Sequence, residues 1–393
     1  MPDRVYNQYF QLLMRYFNTI KFSKFSLVPI FLIFFCNTSC SQPVTEQNPS
    51  LEEKIGQMLM IGFRGFTVDD SDHIVRDLNE YHLGGIILFD YDVPTSTPER
   101  NILSFEQVRD LNSELQKISG RPLLIAIDQE GGRVARLKPT RGFRPHVSAE
   151  YLGEINNSDS TRYYAKSMST QLEELGFNIN FAPVVDLNTN PQNPVIGAID
   201  RSFGEDPDLV TKHASIFLDE FEKHGITGVI KHFPGHGSAW NDSHVGMADV
   251  TETWEESELK PYQNLIESEQ NFGIMTAHVF NENLDDEHPA TLSKAVQTDL
   301  LRDRLGFDGV LFSDDMQMEA IRSFYGLETA IKFAINAVVD VLVFGNNSVY
   351  DPDIVPKAVQ IILNHIESGE IEEHQIHESY ERVKALKERL SDE

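Results

Sequence analysis

From residue 51 to the C-terminus, short apolar runs alternate with longer amphipathic stretches. Apolar, β-branched runs are typical of buried strands, whereas apolar residues three or four positions apart are typical of surface helices. The predicted strands are Met58–Phe63, Gly85–Phe89, Leu123–Ile127, Phe177–Val185, Ile226–Ile230, Ile274–His278, Val310–Phe312 and Val341–Phe344. The predicted helices are Ser71–Tyr81, Phe105–Ile118, one or more within Ala149–Leu175, Leu209–His224, Thr253–Ile266, Ala295–Leu305, Met318–Asn336 and Ile354–Ile366.

Eight strand–helix units in succession predict an α/β fold, a (β/α)₈ barrel of the TIM type. No break in composition after residue 50 indicates a second domain, so residues 51–393 are expected to form one catalytic barrel. A further helix at His377–Leu390 has no strand after it and is predicted as a C-terminal addition. In such barrels the functional loops follow the carboxyl ends of the strands, and polar residues there are the candidates for chemistry.

The first fifty residues read as an export and attachment segment. The apolar run Phe25–Cys36 has three basic residues among the ten before it and is shorter than the roughly 20 residues of a membrane span. The following Asn-Thr-Ser-Cys resembles a bacterial lipoprotein cleavage site, with Cys40 as the lipidated residue. We therefore predict a signal peptide over 1–39 and a polar tether over 40–50. The predicted location is the cell envelope, either lipid-anchored (outer membrane or periplasmic) or secreted.

The formal charge of −28 limits the partners of the chain. Nucleic acid and anionic lipid would both be repelled, so membrane attachment is expected only through a lipid anchor. The two cysteines, Cys36 and Cys40, leave nothing after residue 40 that can form a disulfide within the chain. The pattern does not indicate an oligomeric state.

The segment 231–244, Lys-His-Phe-Pro-Gly-His-Gly-Ser-Ala-Trp-Asn-Asp-Ser-His, leaves the fifth predicted strand as a loop, because its proline and glycines break regular structure. His232, His236, Asp242 and His244 are possible metal ligands, although they lack the helical two-histidine spacing. The histidines could instead satisfy buried polar groups. In a third interpretation Asp242 accepts the N–H of His244, fixes its tautomer and supports acid/base chemistry.

Polar clusters also follow three other strands. Residues 128–136 after the third strand read Asp-Gln-Glu-Gly-Gly-Arg-Val-Ala-Arg, and 200–204 after the fourth read Asp-Arg-Ser-Phe-Gly. Ser313-Asp314-Asp315 follows the seventh strand. Each has a structural alternative: a turn with ion pairs, an ordered loop, or a cap for the next helix, for which Asp315 is the better candidate.

Taken together, the 231–244, 128–136 and 313–314 segments resemble the signature blocks of family 3 glycoside hydrolases, in their β-N-acetylglucosaminidase branch. The resemblance implies the same barrel, with Asp314 as nucleophile and His244, oriented by Asp242, as acid/base. It implies that the sugar hydroxyls are bound by Asp128, Arg136, Arg201, Lys231 and His232. No metal or organic cofactor is required by this chemistry.

The activity that the resemblance implies is that of a retaining exo-glycosidase, with a small glycan as the expected partner. It would hydrolyse terminal β-linked N-acetylglucosamine (N-acetylhexosamine) from oligosaccharides or peptidoglycan fragments through a covalent glycosyl-aspartate. Phosphorolysis or β-glucosidase activity on the same barrel, and a carbohydrate-binding lipoprotein with an inactive site, stay open as alternatives. If the enzymatic interpretation is right, the nucleophile and the five sugar-binding residues must converge on one cleft.

Overall fold

A computed structural model of the protein describes residues 48–68, 73–243 and 246–392. The compact unit that starts at Pro49 contains a ring of parallel strands. The strands are β1 Leu59–Gly62, β2 Gly85–Leu88, β3 Leu124–Ile127, β4 Ile179–Asn180, β5 Thr227–Phe233, β6 Gly273–Thr276, β7 Leu311–Phe312 and β8 Leu342–Phe344. They neighbour one another in the order β7-β6-β5-β4-β3-β2-β1-β8, and a parallel bridge from Phe312 to Val341 closes the ring. The predicted (β/α)₈ barrel is confirmed.

Helices surround this ring. They are α1 Leu51–Gln57, α2 His73–Glu80, α3 Phe105–Ser119, α4 Ala149–Ile155, α5 Ser158–Leu175, α6 Pro207–Glu222, α7 Lys260–Glu267, α8 Glu319–Arg322, α9 Gly326–Asn336, α10 Ile354–Ser368 and α11 Glu373–Asp392, with a π-helix at Ala295–Arg304. Two pairs of short strands lie outside the ring: Gln129–Gly131 with Val134–Ala135, and Ala248–Asp249 with Val279–Phe280.

Side chains alternate between the interior of the barrel and the layer between strands and helices, as the pleat of a strand requires. Met60 and Ile87 belong to the interior cluster, while their neighbours Ile61 and Ile86 pack toward the helices. The predicted C-terminal helix also has a role in this packing. Val383 and Leu386 of α11 join the interior cluster, so this helix covers the end of the barrel at which the strands begin.

Several predicted boundaries shift. The fourth strand shortens to Ile179–Asn180, because Pro183 lacks the N–H that continued ladder pairing needs. The helix predicted over Met318–Asn336 is two helices, α8 and α9, because Gly326, where α9 begins, has a left-handed φ of 71° that interrupts the helical path. The fifth strand extends to Phe233, so Lys231 and His232 belong to β5 and not to the loop.

Parts of the N-terminal prediction lie outside the described residues, including the signal peptide over 1–39 and Cys40. Within the described chain, no helix has the length and apolar character needed to cross a membrane. His244 also falls outside the described residues.

Candidate active site

A cavity of about 330 Å³ opens at the carboxyl ends of the strands. The structure places the predicted nucleophile and all five predicted sugar-binding residues in its wall: Asp128, Arg136, Arg201, Lys231, His232 and Asp314. They come from the ends of β3, β5 and β7 and from the loop after β4. The convergence required by the sequence interpretation is therefore present, while the role of each residue stays a prediction.

The side of the cavity formed by β3, β4 and β5 holds a buried ion network. The Lys231 ammonium lies 2.8 Å from Asp128 Oδ1 and 2.7 Å from Glu130 Oε1. Arg201 donates from Nε and Nη2 to the two oxygens of Glu130, both at 2.7 Å. Arg136 Nη2 donates to Asp128 at 3.2 Å. Such charge-assisted bonds offset the cost of removing these ions from water.

The network keeps its acids ionised. Burial alone would raise the pKa of Asp128, but the positive charges of Lys231 and Arg136 outweigh it and hold this pKa well below its usual range. Arg201 and Lys231 lower the pKa of the buried Glu130 in the same way. The Asp128 side chain keeps 16% of its surface exposed, whereas Glu130 keeps 6%. Asp128 is thus an ionised acceptor that a ligand can reach, and Glu130 mainly holds the cations in place.

Glu130 was assigned no role from the sequence. A signal was nevertheless present, since residues 128 and 130 are two apart on an extended segment and therefore point to the same side. A tight turn at Gly131 and Gly132, with φ of 101° and 55°, then folds the chain back. Gln129 Oε1 accepts the backbone N–H of Arg136 at 2.9 Å, which returns that arginine to Asp128.

Asp186 connects β4 to the start of the functional loop. Its buried carboxylate accepts the backbone N–H groups of His232 and His236, and lies 2.7 Å from His232 Nδ1. A carboxylate requires a donor, so the proton of neutral His232 belongs on Nδ1, and Nε2 then accepts from Arg201 Nη2 at 3.3 Å. Asp186 therefore fixes the orientation and tautomer of His232 and anchors the loop.

The two acids after β7 have different surroundings. Asp314 is partly exposed and lines the cavity, and its Oδ1 accepts the N–H of Asp315 at 2.8 Å. Asp315 Oδ1 accepts the N–H groups of Gln317 and Gly345, each at 3.0 Å. Asp315 thus ties the loop after β7 to the loop after β8. It does not cap the following helix, whose N-cap position is Met318.

The loop beyond β5 is held at its base. Asn193 and Asn190 donate to the carbonyls of His236 and Ala239, at 2.7 and 2.8 Å. His236 Nε2 lies 3.1 Å from Ser243 Oγ, so the segment next to Asp242 is linked back to this base. Asp242 is partly buried and is not among the residues that line the cavity. In the part of the chain that the structure describes, no cluster of His, Cys, Asp and Glu has the arrangement of a metal site.

A closed (β/α)₈ barrel with acids and cations converging at the carboxyl ends of its strands defines a class of barrel enzymes with polar substrates. Residues 50–386 match the family model described as the glycosyl hydrolase family 3 N terminal domain. The chain belongs to glycoside hydrolase family 3.

Named relatives agree with this family. Beta-hexosaminidase A of Pseudoalteromonas piscicida is 30% identical, over 90% of this chain and 63% of that protein. Beta-hexosaminidase LpqI of Mycobacterium tuberculosis is 32% identical, over 89% of this chain and 86% of its own length. The structure of a family 3 beta-N-acetylglucosaminidase from Paenibacillus sp. superposes with a TM-score of 0.79 at 36% identity, covering 88% of this chain and 63% of that one. The chain thus spans less than two thirds of two of these relatives.

Proposed function

We propose that this protein is a retaining exo-glycosidase that removes terminal β-linked N-acetylglucosamine (N-acetylhexosamine) from oligosaccharides or peptidoglycan fragments. The observation that carries the proposal is the shared cavity of Asp314, Asp128 and Lys231 at the functional end of the barrel. Relatives named beta-hexosaminidase and beta-N-acetylglucosaminidase support the choice of sugar.

The ion network supports binding of the terminal sugar. Asp128 accepts hydrogen bonds from hydroxyls, while Arg136 and Lys231 donate to hydroxyl oxygens. A site built from buried charged partners discriminates strongly against a ligand that leaves them unpaired. Arg201 and His232 complete the wall, and their geometry is fixed by Glu130 and Asp186.

In the proposed chemistry, the Asp314 carboxylate attacks the anomeric carbon and forms a glycosyl ester. The bond from that carbon to the leaving oxygen breaks, and this oxygen takes a proton from His244. His244, oriented by Asp242, then removes a proton from water, which attacks the same carbon and releases Asp314. The roles of Asp242 and His244 rest on the sequence resemblance.

The test is hydrolysis of an aryl N-acetyl-β-glucosaminide beside the matched glucoside. The wild-type enzyme should prefer the first, and Asp314→Asn should remove activity. With an activated aryl leaving group, His244→Ala should accumulate a covalent adduct on Asp314 that mass spectrometry of the peptides locates. Full activity of Asp314→Asn would refute the assignment. A glycosyl phosphate product in phosphate buffer would show that the reaction is phosphorolysis and not hydrolysis.

We further propose that Cys40 is lipidated and that the enzyme acts in the cell envelope. The supporting features are the short apolar run and the cysteine-containing site that ends it. Metabolic labelling with an alkyne fatty acid should tag the wild-type protein in a bacterial host, and Cys40→Ala should abolish the label. Equal labelling of both proteins would contradict the proposal.

A further inference from the structure

The cavity has a second side with different chemistry. Opposite β3–β5, beyond the ends of β2 and β8, its wall includes Tyr91 and Val93, with Asn347 and Ser348 beside them. Tyr91 is 40% exposed and Val93 is 53% exposed. Covering exposed apolar groups beside a cavity lowers the free energy, so a ligand that packs on them binds more tightly.

This apolar side is built as a fixed support. Asp92, which lies between the two apolar residues, accepts two hydrogen bonds from Arg64, at 2.7 and 3.0 Å, and one from the buried Arg100 at 2.6 Å. It also pairs with Thr97 through its backbone in both directions. A loop anchored in this way loses little conformational entropy when a ligand binds. The exposure of its apolar side chains is therefore a feature of an ordered surface.

The ring order places the reacting acid at the border of the two sides. Asp314 follows β7, which neighbours β8, and Asp128 follows β3, which neighbours β2. A terminal sugar bound by the ion network would therefore have its anomeric carbon near this border. The group on the far side of the scissile bond would extend toward β8, β1 and β2.

We propose that Tyr91 and Val93 form the subsite for the leaving group, and that this subsite takes a neutral sugar ring. The inference rests on the function proposed above and adds the class of leaving group. A sugar ring presents an apolar C–H face that packs on an aromatic side chain, and hydroxyl edges that Asn347 and Ser348 can meet.

Charge selects a neutral ring. The cations around this side are paired with carboxylates: Lys138 with Asp90 at 2.5 Å, and Arg64 and Arg100 with Asp92. Asp314 and Asp315 both lie at the same border. A leaving group with its own carboxylate would meet these negative charges and be disfavoured. Neutral N-acetylglucosamine oligomers fit the subsite better than fragments whose second sugar is acidic.

The experiment compares two substrates with the same terminal sugar. In N-acetyl-β-glucosaminyl fluoride the leaving group is one atom and needs no subsite, whereas in N,N′-diacetylchitobiose it is a sugar. Tyr91→Ala should lower kcat/KM on the disaccharide by about 10-fold, a loss of about 1.4 kcal/mol of transition-state stabilisation. Activity on the fluoride should stay within about twofold of wild type. Tyr91→Phe should retain disaccharide activity.

The matched control is Tyr163→Ala, which removes an aromatic side chain that is 68% exposed on α5 and is absent from the cavity wall. It should change neither rate. Equal losses on both substrates with Tyr91→Ala, or no loss on either, would overturn the inference while leaving the glycosidase intact. A wild-type enzyme inactive on the fluoride would instead overturn the proposed function. A kcat/KM on an acidic disaccharide equal to that on chitobiose would overturn the neutral-ring assignment.

Discussion

The buried bidentate pair of Glu130 and Arg201 has an exposed counterpart in the same chain. Arg144 donates from one Nη2 to both oxygens of Glu174, at 3.0 and 2.8 Å, so the contact distances are similar in the two pairs. The side chains of the first pair are 6% and 9% exposed, and those of the second are 44% and 38% exposed. Replacing each glutamate by glutamine therefore tests the effect of burial on two Arg–Glu pairs with similar contact distances.

Glu130→Gln leaves the charge of Arg201 in a site that water hardly reaches, and it takes one of two carboxylates away from Lys231. Breaking a buried ion pair by removing one partner costs about 3–5 kcal/mol. Because Asp128 still neutralises Lys231, we expect a loss near the lower end, about 3 kcal/mol. Glu174→Gln should cost less than about 1 kcal/mol, as exposed pairs do.

Equilibrium urea unfolding of the two variants and the wild type, followed by circular dichroism, provides the measurement. The midpoint for Glu130→Gln should fall clearly, with the slope unchanged, and that for Glu174→Gln should stay close to wild type. The glycosidase assay should show a lower kcat/KM for Glu130→Gln alone, since only this variant releases two groups of the cavity wall. Equal shifts in the two midpoints would refute the reasoning, because burial would then make no difference.

Three further outcomes follow from the structure. Asp186→Asn should lower kcat/KM by about 10- to 100-fold in the same assay with the circular dichroism spectrum retained, because the amide no longer fixes His232 as the carboxylate does. Gly237→Ala should displace the functional loop and remove activity, because a Cβ there would stand 1.7 Å from the Leu187 carbonyl oxygen; a wild-type rate would contradict this. Burial lowers the pKa of Lys387 in the folded protein to about 7, whereas its pKa in the unfolded chain is about 10.4. Between these two pH values the lysine is protonated in the unfolded chain but not in the folded protein. The free energy of unfolding of the wild type should therefore rise with pH across this window relative to that of Lys387→Met, by about 1.4 kcal/mol per pH unit and up to about 5 kcal/mol in all. Urea midpoints that change with pH in the same way for both proteins would contradict this.

Hydrophobic periodicity was sufficient to predict the barrel, because each strand and helix carries its own apolar pattern. Contacts between distant segments were not accessible in this way. Glu130 and Arg201 lie 71 positions apart, and nothing in either local pattern pairs them. The anchoring of the loop that carries Tyr91 is similarly hidden, since Asp92 in that loop bonds Arg64 from another strand–helix unit. The sequence motifs predict which residues share a cleft. The hydrogen-bond partners of those residues can be identified only once the ring of strands is closed.

The two sides of the cavity suit the order of events in a retaining mechanism. Water must reach the anomeric carbon from the side that the leaving group has vacated, so the leaving group has to dissociate while the glycosyl ester remains. In the proposed mechanism, charged hydrogen bonds from the buried network would hold the terminal sugar through both steps, whereas contacts on the partly exposed apolar surface would be weaker and end sooner. If Tyr91 and Val93 bound their sugar as firmly as the ion network binds the other, departure of the first product would limit turnover. The proposed subsite, which is exposed and modest beside an enclosed ionic one, therefore suits this sequence of steps.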